Sequence, residues 1–93
     1  MRGINTLPHV SKKIIIIHIL RILYCYTSKE HPVTQTHIAN YLNDIDIPCD
    51  RKTVGRNLKY LKEAGVPVYL NKGKLRGYYY DHTKDTFFIK VNF

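Results

Sequence analysis

The apolar positions of this chain change their period twice. From Ser11 to about Thr27 they run almost without a break, through Ile14-Ile15-Ile16-Ile17-His18-Ile19-Leu20-Arg21-Ile22-Leu23-Tyr24. The residues favour strand by propensity, but a strand of this length would exceed the usual span of about 4 to 8 residues, so length predicts a helix with Ser11 as its N-cap. On that helix His18, Arg21, Cys25 and Ser28 form one narrow polar stripe. The rest is apolar, so two sides of the helix need cover. One side faces the domain core. The other meets either a second copy of the chain or the chain's own C-terminal segment.

His31-Pro32 breaks the chain, and a second helix is expected from the N-cap Thr34 to about Leu42, with Ile38, Ala39 and Leu42 on one face and Tyr41 beside them. Asn43 to Pro48 is a short turn-forming connection, in which Asp44 and Asp46 read as turn and capping residues. Asp50 then opens a third helix, its carboxylate placed to accept from the amide of Thr53. Val54, Leu58 and Leu61 recur at spacings of four and three and define its core face. Gly65 suits the residue just past the helix end, and Pro67 follows it.

Beyond this point the period shortens to two. Val66 to Leu70 is extended, Asn71-Lys72-Gly73-Lys74 turns, and Arg76 to Tyr80 returns, which is a hairpin signal. Asp81 to Asp85 is a second turn-rich loop. Thr86 to Phe93 alternates, with Phe87, Ile89, Val91 and Phe93 on one face. The order predicts an α+β fold of winged helix-turn-helix type: three helices, a β-hairpin wing and a C-terminal strand. Gly3 and Pro8 leave residues 1–10 as an irregular arm, and residues 11–93 form a single domain.

Charge sharpens this picture. Between Arg51 and Arg76 eight cations face a single acid, Glu63, so this stretch carries +7 of the chain's formal +8. The third helix and the hairpin therefore hold nearly all the net charge, the electrostatic footprint expected for a phosphate backbone. On the helical wheel Leu58 and Leu61 lie within about 40° of Val54. Lys52, Arg56, Lys59 and Glu63 lie opposite, with Thr53, Gly55 and Tyr60 on the flanks. Lys52, Arg56, Lys59 and Thr53 thus form an outward face suited to phosphates and guanine edges. Arg51, in the first turn, reaches a phosphate or pairs with an acid such as Asp46. Lys72, Lys74 and Arg76 cluster at the hairpin tip, where they suit a minor groove or a sugar–phosphate backbone. Gly55 costs about 1 kcal/mol in a helix interior. It reflects either a close approach to a groove wall or drift at an exposed site.

Other chemistry is thinly represented. No Ser-His-Asp arrangement, carboxylate pair or phosphate-cradling glycine loop stands out, so an enzyme is not expected. The five histidines are scattered, none at metal-ligand spacing, and no metal or other cofactor is expected. Cys25 and Cys49 read as small buried side chains in a reducing compartment, which together with the lack of a membrane span or a signal-type cleavage site gives a cytoplasmic expectation. Eight tyrosines offer stacking surface for RNA, but the alternation around Tyr78, Tyr79 and Tyr80 assigns at least half of them to packing.

Three blocks carry a family resemblance: Thr36-His37-Ile38-Ala39-Asn40-Tyr41-Leu42, Asp50-Arg51-Lys52-Thr53-Val54-Gly55-Arg56-Asn57-Leu58, and Leu61-Lys62-Glu63-Ala64-Gly65-Val66-Pro67-Val68. With Gly77-Tyr78-Tyr79-Tyr80 as a wing strand, residues 14–80 resemble the N-terminal winged-helix domain of WYL-type and DeoR-like bacterial regulators. The resemblance implies that Arg51, Lys52, Thr53 and Arg56 contact DNA. Gly55 stands where members of that family often carry a larger residue, commonly tyrosine, and the sensor domain that follows in such regulators is not among these 93 residues. The expectation is a sequence-specific regulator of double-stranded DNA, acting as a homodimer. The alternative is a phage or mobile-element inhibitor or adaptor, similar to anti-CRISPR proteins, that binds a protein or ribonucleoprotein.

Overall fold

The structure, a computed structural model, describes residues 12–84. The N-terminal arm, the Ser11 cap and the expected strand from Thr86 to Phe93 lie outside the described residues. Three helices, α1 (Lys12–Tyr26), α2 (Gln35–Asp44) and α3 (Arg51–Glu63), precede two strands, β1 (Val68–Asn71) and β2 (Gly77–Tyr80), and a 3₁₀ turn at His82–Lys84. This is an α+β layout of three helices followed by an antiparallel hairpin, arranged as a winged helix.

Helix α1 forms despite its β-branched content because Ile15, Ile19, Ile22 and Leu23 fall on one helical face and are buried together. Ile16, Leu20 and Tyr24 pack at the edges of that face. The two covers expected for its second side, a second copy or the C-terminal segment, both lie outside the described residues. Ile14 and Ile17 are 44% and 56% exposed. At the other end of the helix, Thr27 is buried and ties it to the sheet. Its hydroxyl donates to the Leu23 carbonyl at 2.6 Å and accepts from the Tyr80 amide at 2.9 Å.

Helix α2 starts where its sequence directs. The Thr34 hydroxyl accepts from the His37 amide at 3.1 Å. The helix ends in a Schellman arrangement: the Ile47 amide donates to the Leu42 carbonyl at 2.8 Å, and the Asp46 amide to the Asn43 carbonyl at 3.1 Å. That geometry puts Asp46 at φ 65°, a left-handed position. The Asn43 side-chain amide then bridges the Ala39 and Cys49 carbonyls at 2.8 and 2.7 Å and holds the turn into α3. Helix α3 closes with the same motif. Val66 donates to Leu61 and Gly65 to Lys62, each at 3.0 Å, with Gly65 at φ 93°.

The sheet pairs Val68 with Tyr80 and Leu70 with Tyr78. Val68 and Tyr80 are nearly fully buried and join Ile38, Leu42, Val54 and Leu58 in one core. A third extended segment was not anticipated. Val33, directly after the His31-Pro32 break, exchanges two hydrogen bonds with Tyr78, at 2.9 and 2.6 Å, on the far side of β2 from β1. Gly77 makes this approach possible. Its φ is 155°, and a Cβ there would lie 2.7 Å from the Val33 carbonyl oxygen.

One sequence reading is corrected at the cysteines. Cys25 is exposed, near the C-terminal end of α1, and only Cys49 is partly buried. Burial pushes the Cys49 thiol up from its ordinary value, and the Asp50 carboxylate adds to the effect. Among the described residues no helix is long and apolar enough to cross a membrane.

Candidate nucleic-acid interface

Helix α3 presents its cations because its apolar residues fix its rotation. Val54, Leu58 and Leu61 are buried, at 0%, 2% and 5% exposure, and they turn the opposite side outward. Lys52, Arg56 and Lys59 are all exposed there, and Arg51 and Lys62 are exposed on the flanks. Thr53 is half-buried. Asn57 is buried as well and belongs to the core side, held by a bond from its side-chain amide to the Thr53 carbonyl at 2.8 Å. The wheel left this residue unassigned, because a polar side chain bonded back into its own helix gives no signal in hydrophobic spacing.

The start of α3 is fixed by Asp50. Its Oδ1 accepts from the Thr53 amide at 2.7 Å. That bond, with Arg56 and Lys52 nearby, holds the carboxyl below its ordinary value. Arg56 leans back along the helix, its Nη2 donating to the Thr53 hydroxyl at 3.2 Å. The guanidinium is thereby steered along the face that carries Thr53 rather than left to sweep freely. Arg51 forms no ion pair with Asp46, leaving the guanidinium of this first-turn residue exposed.

Gly55 is not at the exposed site that drift would require. It is half-buried and faces α2, not open solvent. The Gln35 side-chain amide donates to the Arg51 carbonyl at 3.0 Å and passes over Gly55 so closely that a Cβ would sit 2.5 Å from its nitrogen. The glycine is a packing position between the two helices of the helix-turn-helix.

The hairpin brings the second set of cations to the same molecule's rim. Lys72, Lys74 and Arg76 are exposed in the loop between β1 and β2. The loop is braced at its base. The Asn71 carboxamide oxygen accepts from the Gly73 amide at 2.9 Å, and its amide donates to the Lys29 carbonyl at 3.2 Å. Between α3 and the hairpin lies a cleft of about 330 Å³ lined by Gly55, Leu58, Lys59, Lys62, Glu63, Leu70 and Tyr78. The residues expected to act together are thus all at the surface, on α3 and on the adjoining wing, with Thr53 partly covered.

Comparison with known proteins brought no match, whether to a family model, a curated protein or a solved structure. Function therefore rests on the geometry and charge of this surface. An anionic partner is the chemical complement of a face with exposed Lys52, Arg56 and Lys59. Three more cations in a braced loop extend that face beyond a single helix.

Proposed function

We propose that the chain is a small sequence-specific DNA-binding regulator that lays α3 in the major groove and sets the hairpin against the neighbouring backbone. The observation that carries this reading is the exposure of Lys52, Arg56 and Lys59 on the side of α3 opposite its buried residues. In a helix-turn-helix that side enters the groove, with the N-terminal half of the helix nearest the bases. Lys52, Thr53 and Arg56 lie in that half. Arg56 has the donor fork that matches the O6 and N7 acceptors of guanine, while Lys52 and Lys59 serve phosphates. Arg51, Lys72, Lys74 and Arg76 complete the backbone contacts. The motif resemblance read from the sequence over residues 14–80 points the same way.

A second copy is part of the proposal. One small module buries limited surface on DNA, and two-fold sites are commonly bound by dimers. The exposed Ile14 and Ile17 on α1 offer apolar surface for such a contact.

Selection of bound sequences from a random duplex pool tests the function. Enrichment of a defined motif by the wild type, lost in Arg56→Ala and in Lys52→Ala, is the expected result. Identical enrichment by both variants would show that α3 is not the reader. Stoichiometric capture of one protein that survives nuclease treatment, without any enriched sequence, would favour an inhibitor or adaptor instead.

A further inference from the structure

The hairpin carries an apolar side chain at the point where its surroundings are most cationic. Leu75 is 57% exposed, in the loop between β1 and β2. Lys72, Lys74 and Arg76 stand around it in the same loop and are exposed as well, and no acidic residue occurs from Asn71 to Tyr80. Leu75 belongs neither to the core nor to the partly buried residues packed against it. Its side chain is held out, not folded in.

The loop that presents it is fixed at both ends. On one side the Asn71 carboxamide oxygen accepts from the Gly73 amide at 2.9 Å, and its amide ties the loop to the helical body through the Lys29 carbonyl at 3.2 Å. On the other side Gly77 lies against the Val33 backbone, and the next residue, Tyr78, exchanges two hydrogen bonds with Val33. Residues 72–76 are all that spans the gap, so little further ordering is needed on binding.

We propose that Leu75 is a wedge that enters the minor groove beside the segment read by α3, partly unstacks one base step and kinks the duplex. The inference rests on the DNA-binding reading. A minor groove offers both things this tip is built to meet: phosphate walls for the three cations, and an apolar slot between bases once a step opens. Leucine is among the side chains that act in this way, and the opened step bends the duplex toward its major groove. Pyrimidine–purine steps open most easily, so the wedge gives the chain a sequence preference at a position where it makes no hydrogen bond to a base. An anionic bilayer is the other surface with phosphates above an apolar layer, but one leucine is too little apolar surface to anchor a protein there.

DNA shape, measured on the full chain with the duplex selected from the random pool, tests the wedge separately from affinity. With a dye at each end of the duplex, energy transfer is expected to report a bend of about 20° or more in the wild-type complex. A 2-aminopurine moved along the flank of the motif is expected to brighten at one step, where stacking is lost. Leu75→Ala, at an exposed position, is expected to lose both signals at saturating protein while selecting the same motif under α3, and Leu75→Met to retain them. Replacing the opened step by a stiff A-tract is expected to weaken the wild type by about tenfold and to leave Leu75→Ala unmoved. A duplex that stays straight, or a bend that survives in Leu75→Ala, would overturn the wedge and leave the DNA reading standing. Leu75-dependent binding to phosphatidylglycerol vesicles, with no bend in the duplex, would overturn it in favour of a lipid surface. A chain that selects no duplex at all fails the DNA reading, and the wedge fails with it.

Discussion

The side chain of Gln35 occupies the space that any side chain at Gly55 would need, 2.5 Å from the position of a Cβ. The same amide holds the first turn of α3 through the Arg51 carbonyl. Helix α2 thus sets the height of α3 by a polar contact at its N-terminal end as well as by the core beneath. Alanine at Gly55 gains about 1 kcal/mol of helix propensity and displaces a hydrogen bond worth about 0.5–1.5 kcal/mol. Gly55→Ala is therefore expected to change stability by less than about 1 kcal/mol. In a Gln35→Ala background the same change will stabilise by about 1 kcal/mol, since nothing is left to displace. Urea unfolding of the four proteins of this cycle checks the coupling, and equal effects in both backgrounds would remove it.

Thr27 carries a buried junction between α1 and β2. Thr27→Val keeps the volume but removes the acceptor for the Tyr80 amide, and leaving a buried donor unsatisfied costs about 1–3 kcal/mol. Thr27→Ser retains the hydroxyl and will lose less. A shift of the urea midpoint that ranks Val below Ser is the expected result. The opposite order would mean that the methyl group, not the hydroxyl, holds the junction.

Gly77 is expected to tolerate no Cβ. In Gly77→Ala the new atom meets Val33 backbone at 2.7–2.9 Å and the residue keeps an unfavourable φ, so a loss of about 2 kcal/mol or more follows. Amide exchange will quicken at Val33 and Tyr78 in particular, because their mutual bonds are the ones forced apart. Unchanged protection at those two amides would contradict the close approach.

Asp50 makes the start of α3 sensitive to acid. Its carboxyl is held below the ordinary value by the Thr53 amide, so its contribution is fully present above the ordinary carboxylate pKa of 3.8 and is lost as pH falls through the lower folded value. Asp50→Asn keeps a capping oxygen and is expected to flatten this acid dependence, whereas Asp50→Ala lowers stability at neutral pH as well. Thermal unfolding from pH 7 to pH 2 distinguishes the three proteins.

Local signals made most of this fold legible. Thr34 and Asp50 cap the helices they were read to cap, Gly65 ends α3, and Val54, Leu58 and Leu61 face inward. Each is a contact between residues a few positions apart, which spacing along the chain encodes. What escaped was encoded between segments. The Val33–Tyr78 pairing joins residues far apart behind a proline, and a single paired residue has no period to detect. The role of Gly55 depends on a glutamine in another helix. The exposure of Ile14 and Ile17 shows the limit of composition: an apolar helix signals a need for cover but not what supplies it. At the candidate interface the exposed cations were legible because one helical wheel and one turn place them.

The central claim is that the cationic side of α3 and the hairpin meet a phosphate backbone. Affinity for a selected duplex, measured between about 50 and 200 mM salt, tests it most directly, because neutralised phosphates release counterions in proportion to their number. With most of Arg51, Lys52, Arg56, Lys59, Lys72, Lys74 and Arg76 engaged, affinity is expected to fall by about 10³-fold or more across that range, with a shallower slope in Lys59→Ala and Lys74→Ala. An affinity that stays flat across the same range would contradict the account.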